Sequence, residues 1–483
     1  MLKANKVIPI IQANLSAEQE QSLYEIRKKI YPRAVTGWFA NWRIAMVIFT
    51  QVLFYGVAWL SWNGRQAVLF DLAARKFYIF GVIFLPQDFI YLTVLLVISA
   101  LSLFLFTAVA GRLFCGFACP QTVYTQIFLW IEHSIEGDRM QRMKLDHGPA
   151  DIERRVKKVF KHFVWIVFAA WTGFTFVGYF SPIRELFMAF LQTKFSPWET
   201  FWIVFYGFAT YGNAGWMREQ VCKYMCPYAR FQSVMFDRDT LVITYDEKRG
   251  EPRGARSRDT DRAEAGVGDC IDCQICVQVC PTGIDIRKGL QYECIGCAAC
   301  IDACDQVMDK MNYPKGLIRY TTENALAKQL SWKDMVKRVL RPRILAYTAV
   351  VWAIIIAAAI SVFSRTPLKV DVIRDRATLA RQVDETHAEN VYQLRIMNSD
   401  EKTHHFSIRA SGLNNLEVLT QSQLLEIGPA ATKTIPVRLR AEVAHTEPGS
   451  HRIDFIIEAS DDAKHPMPEV FSIHEKSAFL VPR

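Results

Sequence analysis

CIDCQICVQVCP at residues 270–281 and CIGCAACIDAC at residues 294–304 hold eight of the twelve Cys of this chain. Both runs read C-x2-C-x2-C-x3-C, and Pro281 closes the first. Two-residue gaps let a tight loop wrap three thiolates around three corners of an iron–sulfur cubane. The fourth Cys, read as beginning a helix, reaches the neighbouring cluster. One [4Fe–4S] cluster is expected on Cys270, Cys273, Cys276 and Cys304, and a second on Cys294, Cys297, Cys300 and Cys280. Zinc sites use Cys pairs with longer gaps between them, so the spacing favours iron–sulfur. Asp272 and Gln274, between ligands, are expected to shape the loop. The preceding Asp246–Asp269 is polar and contains Gly and Pro, as a linker does; its Arg residues offer a second reading, a dock for a soluble donor.

Outside this module the sequence changes solvent. The chain has 483 residues, 51% of them hydrophobic and 22% charged, with mean hydropathy +0.08. That composition excludes a disordered chain, a coiled coil and a collagen-like repeat. Five stretches lack Asp, Glu, Lys and Arg: Ile44–Gly64, Phe89–Gly111, Phe163–Ile183, Thr200–Met217 and Ile344–Ser364. A hydrocarbon core of ~30 Å needs ~20 helical residues, so five transmembrane helices are expected, the fourth at the short limit. Trp38, Trp42, Trp59 and Trp62 bracket the first, as interfacial aromatics do.

Loop charges set the orientation. Residues 1–43 carry seven Lys or Arg, including Lys3, Lys6, Arg27 and Lys28, and residues 112–162 carry nine; residues 65–88 carry three and 184–199 carry two. The positive-inside rule then places the N-terminus, the 112–162 loop and 218–343 in the cytoplasm, and the C-terminal tail outside. No apolar stretch precedes Ile44, so the first span is expected to insert uncleaved. The net charge of +9 is unevenly shared: residues 366–483 are net −3. The basic residues track the membrane ends, which favours anionic lipid over nucleic acid as their partner. Arg75–Asp88, apolar but short, is expected to be interfacial or re-entrant. Leu326, Leu330, Trp332, Met335 and Val339 mark an amphipathic helix on the inner surface or a plain connector.

The remaining four Cys form a repeat: Cys115-x3-Cys119-Pro120 after the second span and Cys222-x3-Cys226-Pro227 after the fourth. On a helix, an i, i+4 spacing would put each pair on one face. Arg112 and Arg218 precede the motifs; Gln126 and Gln232 follow. This suggests a duplicated helical hairpin whose four thiols meet at the inner membrane face. They are read as a soft-metal site for copper, as ligands of a further cofactor, or as redox-active thiol pairs. Met225 is a possible thioether ligand or a packing residue, and Glu132 and His133 are read as ordinary helix surface. No Cys lies beyond the last span, so structural disulfides are not the purpose of this distribution.

From Leu368 the pattern becomes short and alternating, as in Asn390–Asn398, Thr434–Arg440 and His451–Glu458. About seven such strands suggest an immunoglobulin-like β-sandwich. Its seven His (His387, His404, His405, His445, His451, His465 and His474) have no ligand spacing. The expected organisation is a cytoplasmic segment 1–43, a four-helix membrane region 44–217, a cytoplasmic two-cluster ferredoxin-like module with an interfacial helix 218–343, a fifth transmembrane helix 344–364, and a periplasmic immunoglobulin-like domain 365–483.

Together, the spans, the paired C-x3-C-P motifs, the two-cluster module and the C-terminal sandwich resemble the cytochrome c oxidase accessory proteins of the CcoG/FixG/RdxA family. The resemblance covers nearly the whole chain, including Arg75–Asp88 and Tyr245–Gly254. It implies a bacterial inner-membrane protein for assembly of the cbb-type haem–copper oxidase, reducing Cu(II) to Cu(I) at Cys115, Cys119, Cys222 and Cys226. The implied partners are a cytoplasmic electron donor, copper chaperones or transporters, and oxidase assembly factors. Two other classes stay open: an electron-transfer subunit of a quinol or reductase system, and a non-enzymatic assembly scaffold. A copper pump is disfavoured, since neither a DKTGT nor a Walker A motif occurs.

Overall fold

The computed structural model describes residues 29–482 apart from 150, 259–265, 367, 376–379, 384–385, 414, 421–424, 444–445 and 461–471. Lys3, Lys6, Arg27, Lys28, His445 and His465 lie outside the described residues.

Four helices are long and apolar enough to cross a membrane: Trp38–Val57, Pro86–Ala110, Ile152–Val177 and Pro342–Phe363. Their apolar side chains stand outward; Phe49, Val52, Leu96, Phe163 and Ile360 are all exposed, as a surface solvated by lipid requires. The hydroxyls of Thr93, Ser99 and Thr107 spend themselves on the carbonyls of Phe89, Leu95 and Leu103 one turn back, so no donor is stranded. The first helix begins and ends six or seven residues earlier than expected, because Ala58 closes it and Ser61–Trp62 is already strand.

The expected fourth span is a 14-residue α-helix, Pro197–Thr210, continued by a 7-residue π-helix, Tyr211–Met217. Ser196 and Glu199 form a capping box at its start. It crosses Ile152–Val177 closely: a Cβ on Gly173 would collide with the carbonyl of Ile203 and the amide of Gly207, the small-residue contact that lets membrane helices approach. Phe89–Ala110, by contrast, packs along Pro342–Phe363. The duplication therefore does not extend to how the long helices pair.

Arg75–Asp88 is largely strand. Lys76–Ile79 is the centre of an antiparallel meander, between Val68–Asp71 and Val82–Phe84. Its β-branched and aromatic residues favour strand. The expected amphipathic helix is two, Glu323–Lys328 and Trp332–Val339, divided at left-handed Gln329; Trp332, Val336 and Leu340 stand exposed.

The C-terminal region is a sandwich of two antiparallel sheets. In one, His387–Asn398 lies between Leu368–Arg374 and Thr432–Glu442; in the other, Gly449–Ser460 lies between His404–Ser411 and Ser472–Val481. Leu394, Ile396, Val437, Ile453 and Phe455 fill the space between them. Tyr392 packs edge-on against Phe455 and donates its hydroxyl to the Ala478 carbonyl at 2.8 Å. The sandwich is fastened to the membrane region at Asp88, which meets Arg365 at 3.4 Å and Lys369, and by Glu401 on Arg65 at 2.8 Å.

Candidate functional site

The two Cys runs fold as copies of one loop. Asp272 and Gln274 take positive φ in the first (53° and 55°), and Gly296 and Ala298 in the second (67° and 58°). These turns release the chain into short helices, Ile275–Gln278 and Ala299–Met311. The third Cys of each run, Cys276 and Cys300, therefore sits in a first helical turn. Contrary to the expectation from sequence, the fourth does not begin a helix: Cys280 follows a one-turn helix and Cys304 lies within the longer one.

The structure sorts the eight thiols around two cavities. Cys270, Cys273, Cys276 and Cys304 line one, with Tyr245. Cys280, Cys294, Cys297 and Cys300 line the other, with Cys276 on its border. Tyr320, on the strand Ile318–Thr321 that pairs with Val242–Tyr245, donates to the Gly296 carbonyl at 2.5 Å. Among the described residues, no three Cys, His, Asp or Glu close to the spacing of one ion; each quartet is spread around a cavity instead. All-sulfur donor sets arranged in this way fit iron–sulfur clusters. Burial pushes the Cys276, Cys294 and Cys304 thiols up to about 12, a cost that coordination to a metal removes by deprotonating the thiol.

The surroundings of the quartets differ. Cys273 is exposed, and beside it Arg287 pairs with Asp285 at 2.7 Å and with Asp272. The second quartet faces the membrane region, where Arg43 donates to the Cys297 carbonyl and Arg112 to the Cys294 carbonyl at 3.2 Å. The described parts of Asp246–Asp269 are held to the module, since Arg249 bonds Asp269 and the Lys315 carbonyl, and Arg256 the Gly268 carbonyl. Those two guanidiniums are thus spent inside the module.

The C-x3-C-P motifs are not single helices with two thiols on one face. Cys115 lies in Leu113–Phe117, but Cys119 is extended (φ −62°, ψ 129°) and caps Pro120–Glu136. Cys222 lies in the π-helix Val221–Met225, and extended Cys226 caps Pro227–Met235. Proline disfavours helical backbone in the residue before it and prefers the first helical position, so each motif breaks at its second Cys. Four residues before Cys115 and Cys222 stand Gly111 (φ 55°, ψ −121°) and Arg218 (φ 44°, ψ −112°) in matching conformations. Arg112 and Arg218 are therefore not equivalent positions.

Both motifs bring their thiols to one place. Cys115, Cys119, Cys222 and Cys226 act on one another electrostatically; burial, the larger effect, pushes Cys115 up to about 11 and Cys222 to about 12. The Gln232 amide stands 3.3 Å from the Cys115 sulfur. Met225 is 57% exposed. A cavity bordered by Cys222 and Cys297 opens between this place and the second quartet, with Gln126, Leu129, Trp130 and Ile44 among its walls.

Sequence reading missed the ion cluster behind the motifs. Glu132 is fully buried and accepts from Arg218 at 2.6 Å, with Arg142 and Lys29 at 3.9 Å. Glu136, one turn on, takes Lys158 and Lys161, both at 2.9 Å. Two glutamates at i, i+4 facing several lysines was the available signal.

Apolar helices joined to two all-thiol quartets define a membrane-bound iron–sulfur protein of the electron-transfer class. Sequence profiles agree: that of a 4Fe-4S dicluster domain matches residues 217–323, that of a 4Fe-4S binding domain residues 92–136, and that of the IG-like fold at the C-terminal of FixG residues 358–482. The chain is 35% identical over 486 residues to nitrogen fixation protein FixG of Rhizobium meliloti, covering 92% of each. It is 36% identical to protein RdxB of Cereibacter sphaeroides, covering 86% of this chain and 88% of that one, and 36% identical to protein RdxA of the same organism (87% and 90%). The chain belongs to the FixG/RdxA family. A crystal structure of a FixG-related protein from Vibrio parahaemolyticus aligns with 24% of this chain and 97% of its own, at 24% identity and a TM-score of 0.20.

Proposed function

We propose that this protein is a membrane electron-transfer protein for assembly of a cbb-type cytochrome c oxidase, and that it reduces Cu(II) to Cu(I) for copper insertion. Cys270, Cys273, Cys276 and Cys304 would hold one [4Fe–4S] cluster, and Cys280, Cys294, Cys297 and Cys300 the other. When bound, such clusters supply one-electron transfer. Cys115, Cys119, Cys222 and Cys226 would meet copper, whose reduced form suits soft thiolate ligands; a transient acceptor needs contact rather than a closed cage.

The observation that carries this reading is the direct contact of Gly116, inside the first C-x3-C-P motif, with the Gly296–Cys297 backbone of the second quartet. Exposed Cys273 marks the face for a cytoplasmic donor. The lysine and arginine distribution supports a cytoplasmic N-terminus and a periplasmic sandwich, with Pro197–Met217 as the fourth of five spans. On that placement the sandwich would meet copper chaperones or transporters and oxidase assembly factors.

The test is a reductase assay. Protein reduced with dithionite and then freed of it is given Cu(II), and Cu(I) is trapped with a selective chelator. Cys222→Ser should keep the iron–sulfur spectrum and lose Cu(II) reduction; unchanged reduction would sink the assignment.

A second reading, a subunit of a quinol or reductase system, is favoured by the cavity that touches Cys222, Cys297 and the apolar Ile44, Leu129 and Trp130. Cluster reduction by a quinol in place of dithionite would support it.

A further inference from the structure

Arg112 is 7% exposed and sits between the two redox sites: the Cys115, Cys294 and Cys222 sulfurs all act on its charge. Its two terminal nitrogens bond the carbonyls of Cys294 (3.2 Å) and Ala229 (2.6 Å), while its buried Nε has no hydrogen-bond partner among the described residues. Arg43, from the first long helix, bonds the Cys297 carbonyl. Among the described residues neither arginine forms an ion pair; Glu293 acts on Arg112 less strongly than Cys115 or Cys294 does. At the first quartet the balance is reversed, because Arg287 is matched by two carboxylates, Asp285 and Asp272.

A thiolate-bound cluster is anionic and gains one negative charge on reduction. A nearby cation stabilises the reduced form and raises the potential, and net charge and exposure are the protein's main controls over it. Burial alone would lower the potential of the second quartet's cluster. The same burial removes the water that would screen Arg112, and half-buried Arg43 is only partly screened, so both cations act at a lower effective dielectric constant than bulk water. Two unpaired cations beside one cluster then outweigh a neutralised arginine beside the other.

Resting on the ligand reading above, we propose that Arg43 and Arg112 are positioning and charge-setting residues that make the Cys280/Cys294/Cys297/Cys300 cluster the higher-potential centre. One electron leaves the reduced cluster at exposed Cys273 and is taken up by the one beside Gly116; no bond is made or broken. Flow is directed inward, from the solvent face to the C-x3-C-P thiols.

The test is a redox titration of the full-length protein in detergent, followed by EPR. The unsubstituted protein should show two cluster signals with separated potentials, and Cys297→Ser should leave the lower one. Arg43→Gln and Arg112→Gln should each lower the upper potential, by about 59 mV for each tenfold change in electron partition. Arg112→Lys, which keeps the charge, should restore most of it, a recovery that a purely steric role would not produce. Unchanged upper potentials in both Gln variants, with both signals present, would overturn the inference, as would a shift confined to the lower one. Should Arg112→Gln fail to fold, Arg43→Gln and Arg112→Lys decide the matter. A single cluster signal in the unsubstituted protein would instead overturn the ligand reading.

Discussion

Gly116 and Gly296, 180 positions apart in the chain, meet backbone to backbone. A Cβ on Gly116 would stand 2.7 Å from the Gly296 carbonyl oxygen and 2.8 Å from the Cys297 amide nitrogen. A Cβ on Gly296 would meet the Arg112 carbonyl at 2.9 Å. At this seam the first C-x3-C-P motif and the loop of the second quartet thus touch through backbone.

Gly116→Ala should pry that seam apart. Overpacking of this kind costs about 1–3 kcal/mol. Both clusters should remain visible by EPR, while electron transfer from reduced clusters to Cu(II) slows at least severalfold in stopped-flow measurements. A rate equal to that of the unsubstituted protein would show that the seam is not the route.

Glu132→Gln removes the carboxylate from beneath Arg218 and leaves that guanidinium buried against Trp165, 5.4 Å from its ring centroid. Stranding one member of a buried pair costs about 3–5 kcal/mol. The midpoint of thermal unfolding in detergent should fall accordingly, and Glu132→Asp should recover part of the loss.

Asp88→Asn should loosen the sandwich from the membrane region. Asp88 is 6% exposed and takes both Arg365 and Lys369, besides the Leu85 amide at 2.9 Å. Limited proteolysis should then cut faster near Ser364–Thr366, with the clusters unaffected. An unchanged cleavage rate would mean that Glu401 on Arg65 suffices to hold the domain.

Acid should weaken the contact of the N-terminal segment. Burial raises the Asp146 carboxyl, but hydrogen bonds from Lys158, Lys29 and Tyr31 outweigh it and hold the group below the usual carboxylate range. A depressed folded value stabilises the fold above the unfolded pKa of about 4 and loses that contribution as pH falls through the folded one. The difference in melting temperature between the parent and Asp146→Asn should therefore be constant near neutrality and shrink below about pH 4.

Local spacing carried much of this. The Cys runs were readable because ligation by a compact loop leaves a fixed interval, and the sandwich because alternation has period two. The break at Cys119 and Cys226 was also written locally, in Pro120 and Pro227, but the i, i+4 interval pointed the other way. Steric exclusion by the proline ring decides between them. The i, i+4 pair Glu132 and Glu136 marked a face of its helix but not the partners, since Arg218 and Lys29 arrive from distant segments and Arg142 from the next helix. Nor was the pairing of Arg43 with Cys297 readable, since it exists only because the first long helix is docked on the second Cys run. Such contacts depend on where helices cross, and no interval in the sequence records that.

The Asp88 fastening has a mechanical meaning. Asp88 stands at one end of the helix Phe89–Ala110, and Gly111, Arg112 and Cys115 follow at the other. At 1.5 Å per residue, that helix is a rod about 33 Å long. The sandwich grips one tip and the seam at Gly116 and Gly296 holds the other. On the proposed function, a load applied to the sandwich by a bound partner would be delivered along the rod to the joint at Gly116 and Gly296, so that docking at one tip and conduction at the other would be joined by a single stiff strut.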